Sequence, residues 1–152
     1  MRIFVLLFLA GTAVAQAPAP KAAAPPAFSA KPVGTLKQVM RGILLPNSDA
    51  IFNVSQKPPK TDDQWAAIEN SAIAIAEAAA LINMPGRLRS DGKPVPMRRA
   101  DWIKYSQGLV AAATASYKAI QSKNTDMIDM ANDGLTEACD ACHRVYRDVP
   151  QK

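Results

Sequence analysis

Across 152 residues the chain carries one histidine and two cysteines, and only 6% of it is aromatic. The shortage of aromatics, set beside abundant alanine, argues against a β-sandwich, because alanine has the highest helix propensity while strands favour branched and aromatic side chains. Two thiols and one imidazole fall one ligand short of a structural zinc site built from Cys and His. With 7 glycines there is no Gly-rich phosphate-cradling loop, and the basic residues are not interleaved with aromatics as in nucleic-acid binders. No nucleic-acid partner is expected, and no internal repeat is present.

What is there suits one globular domain: 49% of residues are hydrophobic and 20% charged, with a formal net charge of +5. The expected class is all-α. At the N-terminus Arg2 precedes an apolar run over residues 3–10, and Ala13-Val14-Ala15 offers the small residues of a signal-peptidase site. Residues 1–15 therefore read as a signal peptide cleaved after Ala15. The run is too short to span a bilayer, and Thr12 stands where a lipoprotein would carry cysteine. The expectation is a soluble exported protein with no stable membrane insertion after signal removal. Residues 16–32, "QAPAPKAAAPPAFSAKP", form a Pro/Ala-rich lead-in in which proline removes backbone donors and forbids a continuing helix. The folded domain is expected over residues 33–148, with a short tail over 149–152.

Apolar periodicity supplies the helices. Trp65, Ile68, Ala72, Ile75, Ala79 and Ile82 recur at intervals of 3 and 4, with Thr61 and Gln64 placed for a capping box and Pro85-Gly86 beyond as a stop. A second stripe, Trp102, Leu109, Ala113 and Ile120, flanked by Ile103, Val110 and Tyr117, predicts a helix over residues 100–123. After the polar turn "SKNTD" another is expected over residues 125–147. The first helix carries Val33, Leu36, Met40 and Ile43, but Pro46 deprives the Gly42 carbonyl of its usual donor and is expected to bend or end it; "NSDAIFNV" either resumes the helix or forms a separate short one after a break, and the sequence leaves both open. Short connections between long helices favour antiparallel packing.

All the scarce donors are crowded into "EACDACHRVYRD", residues 137–148. Cys139-Asp140-Ala141-Cys142-His143 is the C-x-x-C-H signature of c-type haem attachment. Two thiols one helical turn apart can each add to a vinyl group on one porphyrin edge, while the next residue offers an imidazole to the iron. Cys139, Cys142, His143 and Tyr146 share a helix face with Leu135, along which the haem would lie. A disulfide and a redox dithiol are the plainer readings of two exported cysteines, but a thioredoxin-like pair should open a helix after a strand, and none is predicted here.

Only nine residues follow His143. A four-helix exported chain ending "CDACHRVYR" resembles the class II cytochromes c, the cytochrome c′ and cytochrome c556 group, over roughly residues 33–148; the "ADW" at Trp102 and the stretch from Leu36 to Met40 extend the likeness. The resemblance implies an antiparallel up-down-up-down four-helix bundle with one covalently attached haem c. It implies thioethers to Cys139 and Cys142, and His143 as proximal iron ligand. Leu36 and Tyr146 would line the haem, and Arg147 matches the basic residue beside the proximal histidine; an arginine there also complements the helix dipole.

The sixth iron position decides function. A unique histidine excludes bis-histidine ligation by this chain. Met127 and Met130 lie on the haem helix itself, roughly 20 Å or more along the axis from His143, and Met84 and Met97 fall between the second and third helices. Met40 remains; the resemblance puts it where low-spin members carry a methionine ligand, although a methionine on an apolar stripe is usually core filler. With Met40 bound, the protein is a periplasmic one-electron carrier. With Met40 unbound, it is a five-coordinate protein binding NO or CO. Enzymatic activity is not expected, because the stripe of Leu36, Met40 and Ile43 offers no acid-base group, although Lys37 and Gln38 are near in sequence. Expected partners are redox proteins of the periplasm, with a second copy of the chain as a further candidate. The basic stretch over residues 86–99, with Arg87, Arg89, Arg98 and Arg99, reads as a solvated loop or as a docking patch for an acidic redox partner. Gly134, inside the last helix, suggests close packing against the haem or a neighbour.

Overall fold

The computed structural model describes residues 30–147; the expected signal peptide, most of the Pro/Ala-rich lead-in and the C-terminal tail lie outside them. The described residues form α1 (Leu36–Val39), a π-helical turn (Met40–Leu44), α2 (Leu45–Phe52), α3 (Asp62–Ile82), α4 (Ala100–Gln121) and α5 (Thr125–Tyr146). The first three run on without interruption, so the described residues make four helical segments. The isolated bridge between Leu88 and Pro94 is the one strand-like pairing among the described residues. The architecture is all-α, compatible with a helical bundle.

The first segment neither breaks nor ends at Pro46. Thr35 caps α1 through a full capping box, its side chain accepting from Gln38 N–H while the Gln38 amide oxygen accepts from Thr35 N–H at 2.8 Å. That bond also turns Gln38 back on the cap. Seven residues on, Leu45 N–H reaches back five positions to the Met40 carbonyl, which widens the turn by one residue. A proline clashes with the carbonyl four residues before it and offers no N–H; the π turn takes up the mismatch over residues 40–44, and Pro46 falls in the first turn of α2, where its missing donor matters least. Asn47 Nδ2 donates to the Ile43 carbonyl at 2.7 Å, a side chain standing in for a backbone donor.

α3 starts at Thr61, whose hydroxyl accepts from Gln64 N–H. The reciprocal half of the expected capping box is displaced: the Gln64 side chain accepts from Lys60 N–H at 2.6 Å instead of from Thr61. α3 ends at Asn83, as Pro85-Gly86 required, and the Asn83 amide joins two helices. Its Nδ2 donates to Ala79 O at 2.8 Å, and its Oδ1 accepts the indole N–H of Trp102 at 2.7 Å. Trp102 is 1% exposed, so this bond satisfies a donor that burial would otherwise leave unpaired, at about 1–3 kcal/mol.

α3 packs along α4 and α4 along α5; α1, the π turn and α2 lie on α3, and α2 also touches α5. Ser55, just past α2, donates to the Asp129 carboxylate on α5. The apolar core joins Leu36, Val39, Leu44, Ile51, Ile75, Ile82, Trp102, Leu109, Ile120, Ile128 and Leu135. The predicted stripes supply most of it, but Ile103 and Val110 are exposed, because each lies about 100° around the helix from the buried Trp102 and Leu109. α3 is long and apolar enough to cross a membrane by length and composition, a test that a core helix also passes. Here its Ala72, Ile75, Ala78, Ala79 and Ile82 are buried in the core.

Candidate functional site

α5 begins at Asn124, whose side-chain oxygen accepts from Met127 N–H at 3.1 Å, with Asp126 in the first turn and His143 and Arg144 in the last, each on the side the helix dipole favours. Ile128 and Leu135 are wholly buried. Beyond Leu135 the same stripe continues through Cys139, Cys142 and Tyr146, at helical spacings of 4, 3 and 4, and these three are half-buried against the apolar core. Met130 is exposed on the opposite side and Met127 is nearly half exposed, so the helix's own methionines point away from this stripe.

Both cysteines are free thiols. Burial raises the pKa of Cys139, with the Asp140 charge adding to it. Cys142 is pushed up to about 11, first by burial and then by its neighbours Cys139 and Asp101. Burial lowers the pKa of His143; the charge of Arg147 acts the same way and Asp140 opposes both. At neutral pH the motif therefore presents two protonated thiols and an imidazole biased towards its neutral, metal-ligating form. Arg147 also closes the last turn, its N–H donating to the His143 carbonyl at 3.1 Å; α5 itself stops at Tyr146, one residue short of the predicted end, because Arg147 is already extended.

Tyr146 is directed at α4. Its hydroxyl donates to Asp101 Oδ2 at 2.8 Å, and its ring meets Trp102 edge-on at 5.0 Å and Tyr105 at 6.2 Å between centroids. Asp101 in turn is held by both Arg99 Nε at 3.1 Å and Arg99 Nη2 at 3.0 Å, and by Trp102 N–H at 3.0 Å. These donors hold the Asp101 carboxyl well below the usual carboxylate range, Arg99 first and Tyr146 second. Neither Asp101 nor Arg99 was among the sequence candidates for the site. The signal that could have found Asp101 is its position beside Trp102, within the "ADW" that opens α4.

Leu36 and Met40 sit on a different support. Leu36 is buried, and its N–H donates to the Leu88 carbonyl at 2.8 Å. Met40 is half-buried against the core, and its N–H is shared between Leu36 O and Lys37 O. The helical run that carries them packs on α3, whereas the cysteines and Tyr146 pack towards α4.

The residues present fit haem c. Two reduced thiols one turn apart, an adjacent imidazole and an apolar stripe are the donor set that such attachment needs; the thiols and the stripe face the core, and His143 beside them is half-buried. Among the described residues no three His, Cys, Asp or Glu side chains converge on a point that could hold a bare metal ion. A groove of about 490 Å³ between α4 and α5 is lined by Tyr105, Gly108, Ala112, Gly134, Ala138 and Ala141 among others. It lies on the neighbouring face of α5, and none of Cys139, Cys142 and His143 borders it. A Cβ at Gly134 would meet nothing within 4 Å, so the close packing expected there is not found among the described residues.

The basic loop is not one patch. Arg87 is 4% exposed, with Nε donating to Leu81 O at 2.6 Å and Nη1 to Gly34 O at 2.5 Å. It ties the end of α3 to Gly34, just ahead of the Thr35 cap of α1, and its burial withdraws it from any docking surface. Arg89 pairs with Asp91 at 3.3 Å and Arg99 with Asp101. Gly86 and Gly92 supply the positive φ, 85° and 78°, that this tight loop requires.

Comparison with family models, with curated proteins and with solved structures finds no match to this chain.

Proposed function

We propose that the chain is a monohaem c-type cytochrome of the class II kind, exported to the periplasm and working as a one-electron carrier. The observation that carries this reading is that Cys139 and Cys142 of the C-x-x-C-H motif lie half-buried on the core-facing stripe of α5 with both thiols free, with the half-buried His143 next in the chain. Each thiol would add S–H across one vinyl group, giving thioethers at Cys139 and Cys142 without any leaving group. Haem supplies an iron centre that gains and loses one electron. The chain's part is to hold it: His143 as proximal ligand, Met40 as distal ligand, Leu36 as an apolar neighbour, and Arg147 as a charge that keeps the imidazole from taking a proton. In this reading the four helical segments run up-down-up-down and antiparallel, with the haem between the first segment and α5. Reduction and reoxidation by protein partners follow, and no acid-base catalysis is assigned.

A second reading keeps the haem and leaves the iron five-coordinate for NO or CO. It is favoured by the half-burial of Met40 against the core, which is how a space-filling methionine also sits.

One experiment separates the two. Absorption spectra are taken of the purified, haem-loaded protein, oxidised and reduced, with and without CO, and repeated on Met40→Ala. A low-spin spectrum with a methionine-to-iron charge-transfer band, indifferent to CO and lost in the variant, is the expected result. A high-spin spectrum that shifts with CO and is unchanged in the variant would establish the gas-binding reading instead. Absence of covalent haem from the wild-type chain, judged by mass, would refute both.

A further inference from the structure

We propose that Asp101 is a positioning residue for the haem-binding end of α5: fixed in place by Arg99 and by the backbone of α4, it holds the Tyr146 phenol and through it the turn that carries Cys142 and His143. The consequence for haem rests on the reading above; the clamp itself does not.

The geometry is unusual for an aspartate in the first turn of a helix, where the dipole alone would account for its presence. Both oxygens of Asp101 are in use. Oδ1 accepts from Arg99 Nε and from Trp102 N–H, while Oδ2 accepts from Arg99 Nη2 and from the Tyr146 hydroxyl. A carboxylate held from four sides is a rigid acceptor, because charge-assisted bonds are short and strong and each restricts the others. Its own base is rigid too. The next residue, Trp102, is buried and bonded to the Asn83 cap of α3, so the chain of contacts runs from the end of α3, through the start of α4, to the end of α5.

Tyr146 is the receiving part. It lies four residues beyond Cys142 and three beyond His143 on the same helix, so fixing its ring fixes the rotation of the turn beneath it. Trp102 and Tyr105 meet that ring edge-on, and its hydroxyl donates to Asp101. Without this contact the last two turns of α5 would depend on half-buried side chains alone, since Arg144, Val145 and Arg147 are exposed. The clamp also leaves a fixed negative charge bonded to Tyr146, one helical turn beyond Cys142. An anion beside a haem edge favours the oxidised, more positive iron, so Asp101 would lower the reduction potential.

Three variants of the full chain test this: Asp101→Asn, which keeps the shape and removes the charge; Tyr146→Phe, which keeps the ring and removes the bond; and Asp101→Glu, which keeps the charge. Hydrogen exchange of the haem-free full chain should speed roughly tenfold across residues 139–147 in Asp101→Asn and Tyr146→Phe, with α3 unchanged. In the double variant the effect should be no larger than in either single one, as for two halves of one contact. In the haem-loaded protein Asp101→Asn should raise the reduction potential, Tyr146→Phe should move it less, and Asp101→Glu should keep it near the wild type. Unchanged exchange at residues 139–147, or acceleration spread equally over α3, would overturn the clamp. Equal potentials for wild type and Asp101→Asn would overturn its effect on the haem. A wild-type chain that carries no haem would remove the haem reading, and the exchange measurement would still decide the clamp.

Discussion

α3 and α5 are nearly the same length, 21 and 22 residues, and bury themselves very differently. Six residues of α3 are buried, Ser71, Ala72, Ile75, Ala78, Ala79 and Ile82, and they extend to its last residue. In α5 only Ile128 and Leu135 are buried, and past Leu135 the apolar stripe continues half-covered through Cys139, Cys142 and Tyr146. α3 finds helices on two sides, α4 and the first segment, while α5 packs mainly along α4 and touches α2 only weakly. A helix whose stripe outruns its protein neighbours has surface left for a large flat group. That contrast, joined to the C-x-x-C-H spacing, is the physical content of the haem proposal: what α3 receives from side chains, the end of α5 would receive from a porphyrin.

The comparison can be broken most directly in the covered helix. Ile75→Ala removes a side chain that is 1% exposed and should destabilise the protein by about 2–5 kcal/mol, read from denaturant unfolding. Met130→Ala, 76% exposed on α5, should fall within about 0.5 kcal/mol of wild type. If the two substitutions had similar effects, the burial contrast would not describe the protein's stability. The next effect is smaller and of opposite sign. Gly134→Ala adds a Cβ in open space and should stabilise α5 by roughly 0.5–1 kcal/mol; a loss of stability, or of haem content, would show that this face needs its glycine.

A further effect is a pH dependence confined to the exposed end of the contrast. In the folded haem-free chain Cys142 titrates at about 11 instead of 9.0, so the folded state holds its proton more tightly than the unfolded state does. The corresponding stability is complete below pH 9 and is lost as pH rises through 11. Alkaline unfolding of the haem-free chain should therefore be less steep in Cys142→Ser, whose hydroxyl does not titrate in that range. Attachment of haem through the sulfur should abolish the same pH dependence. A wild-type alkaline limb identical to that of the variant would mean that Cys142 is not held in an apolar setting.

Much of the fold was legible along the chain because it depends on local rules. Trp65 to Ile82 repeats at the helical period and is stopped by Pro85-Gly86; Trp102 to Ile120 and Ile128 to Tyr146 do the same across the polar turn at residues 122–124. The motif was legible for the same reason, since C-x-x-C-H is a pattern of neighbours. At Pro46 the sequence left a resumed and a broken helix open. Its missing donor was plain, but a π turn depends on how Leu45 N–H and the Met40 carbonyl find each other once α1 is anchored, which no local propensity states.

Sequence alone therefore determined helical content, the ends of the long helices to within two residues and the short run that holds two thiols and an imidazole, because each is set by side chains within a few residues of one another. Tertiary structure decided everything that spans longer separations. It turned Arg87 from a loop cation into a buried tie between Gly34 and Leu81. It set Asp101 against Tyr146, 45 residues away, and left Ile103 and Val110 in solvent while burying Trp102 and Leu109. Such contacts depend on which helix faces which, and only the closing of the core settles that.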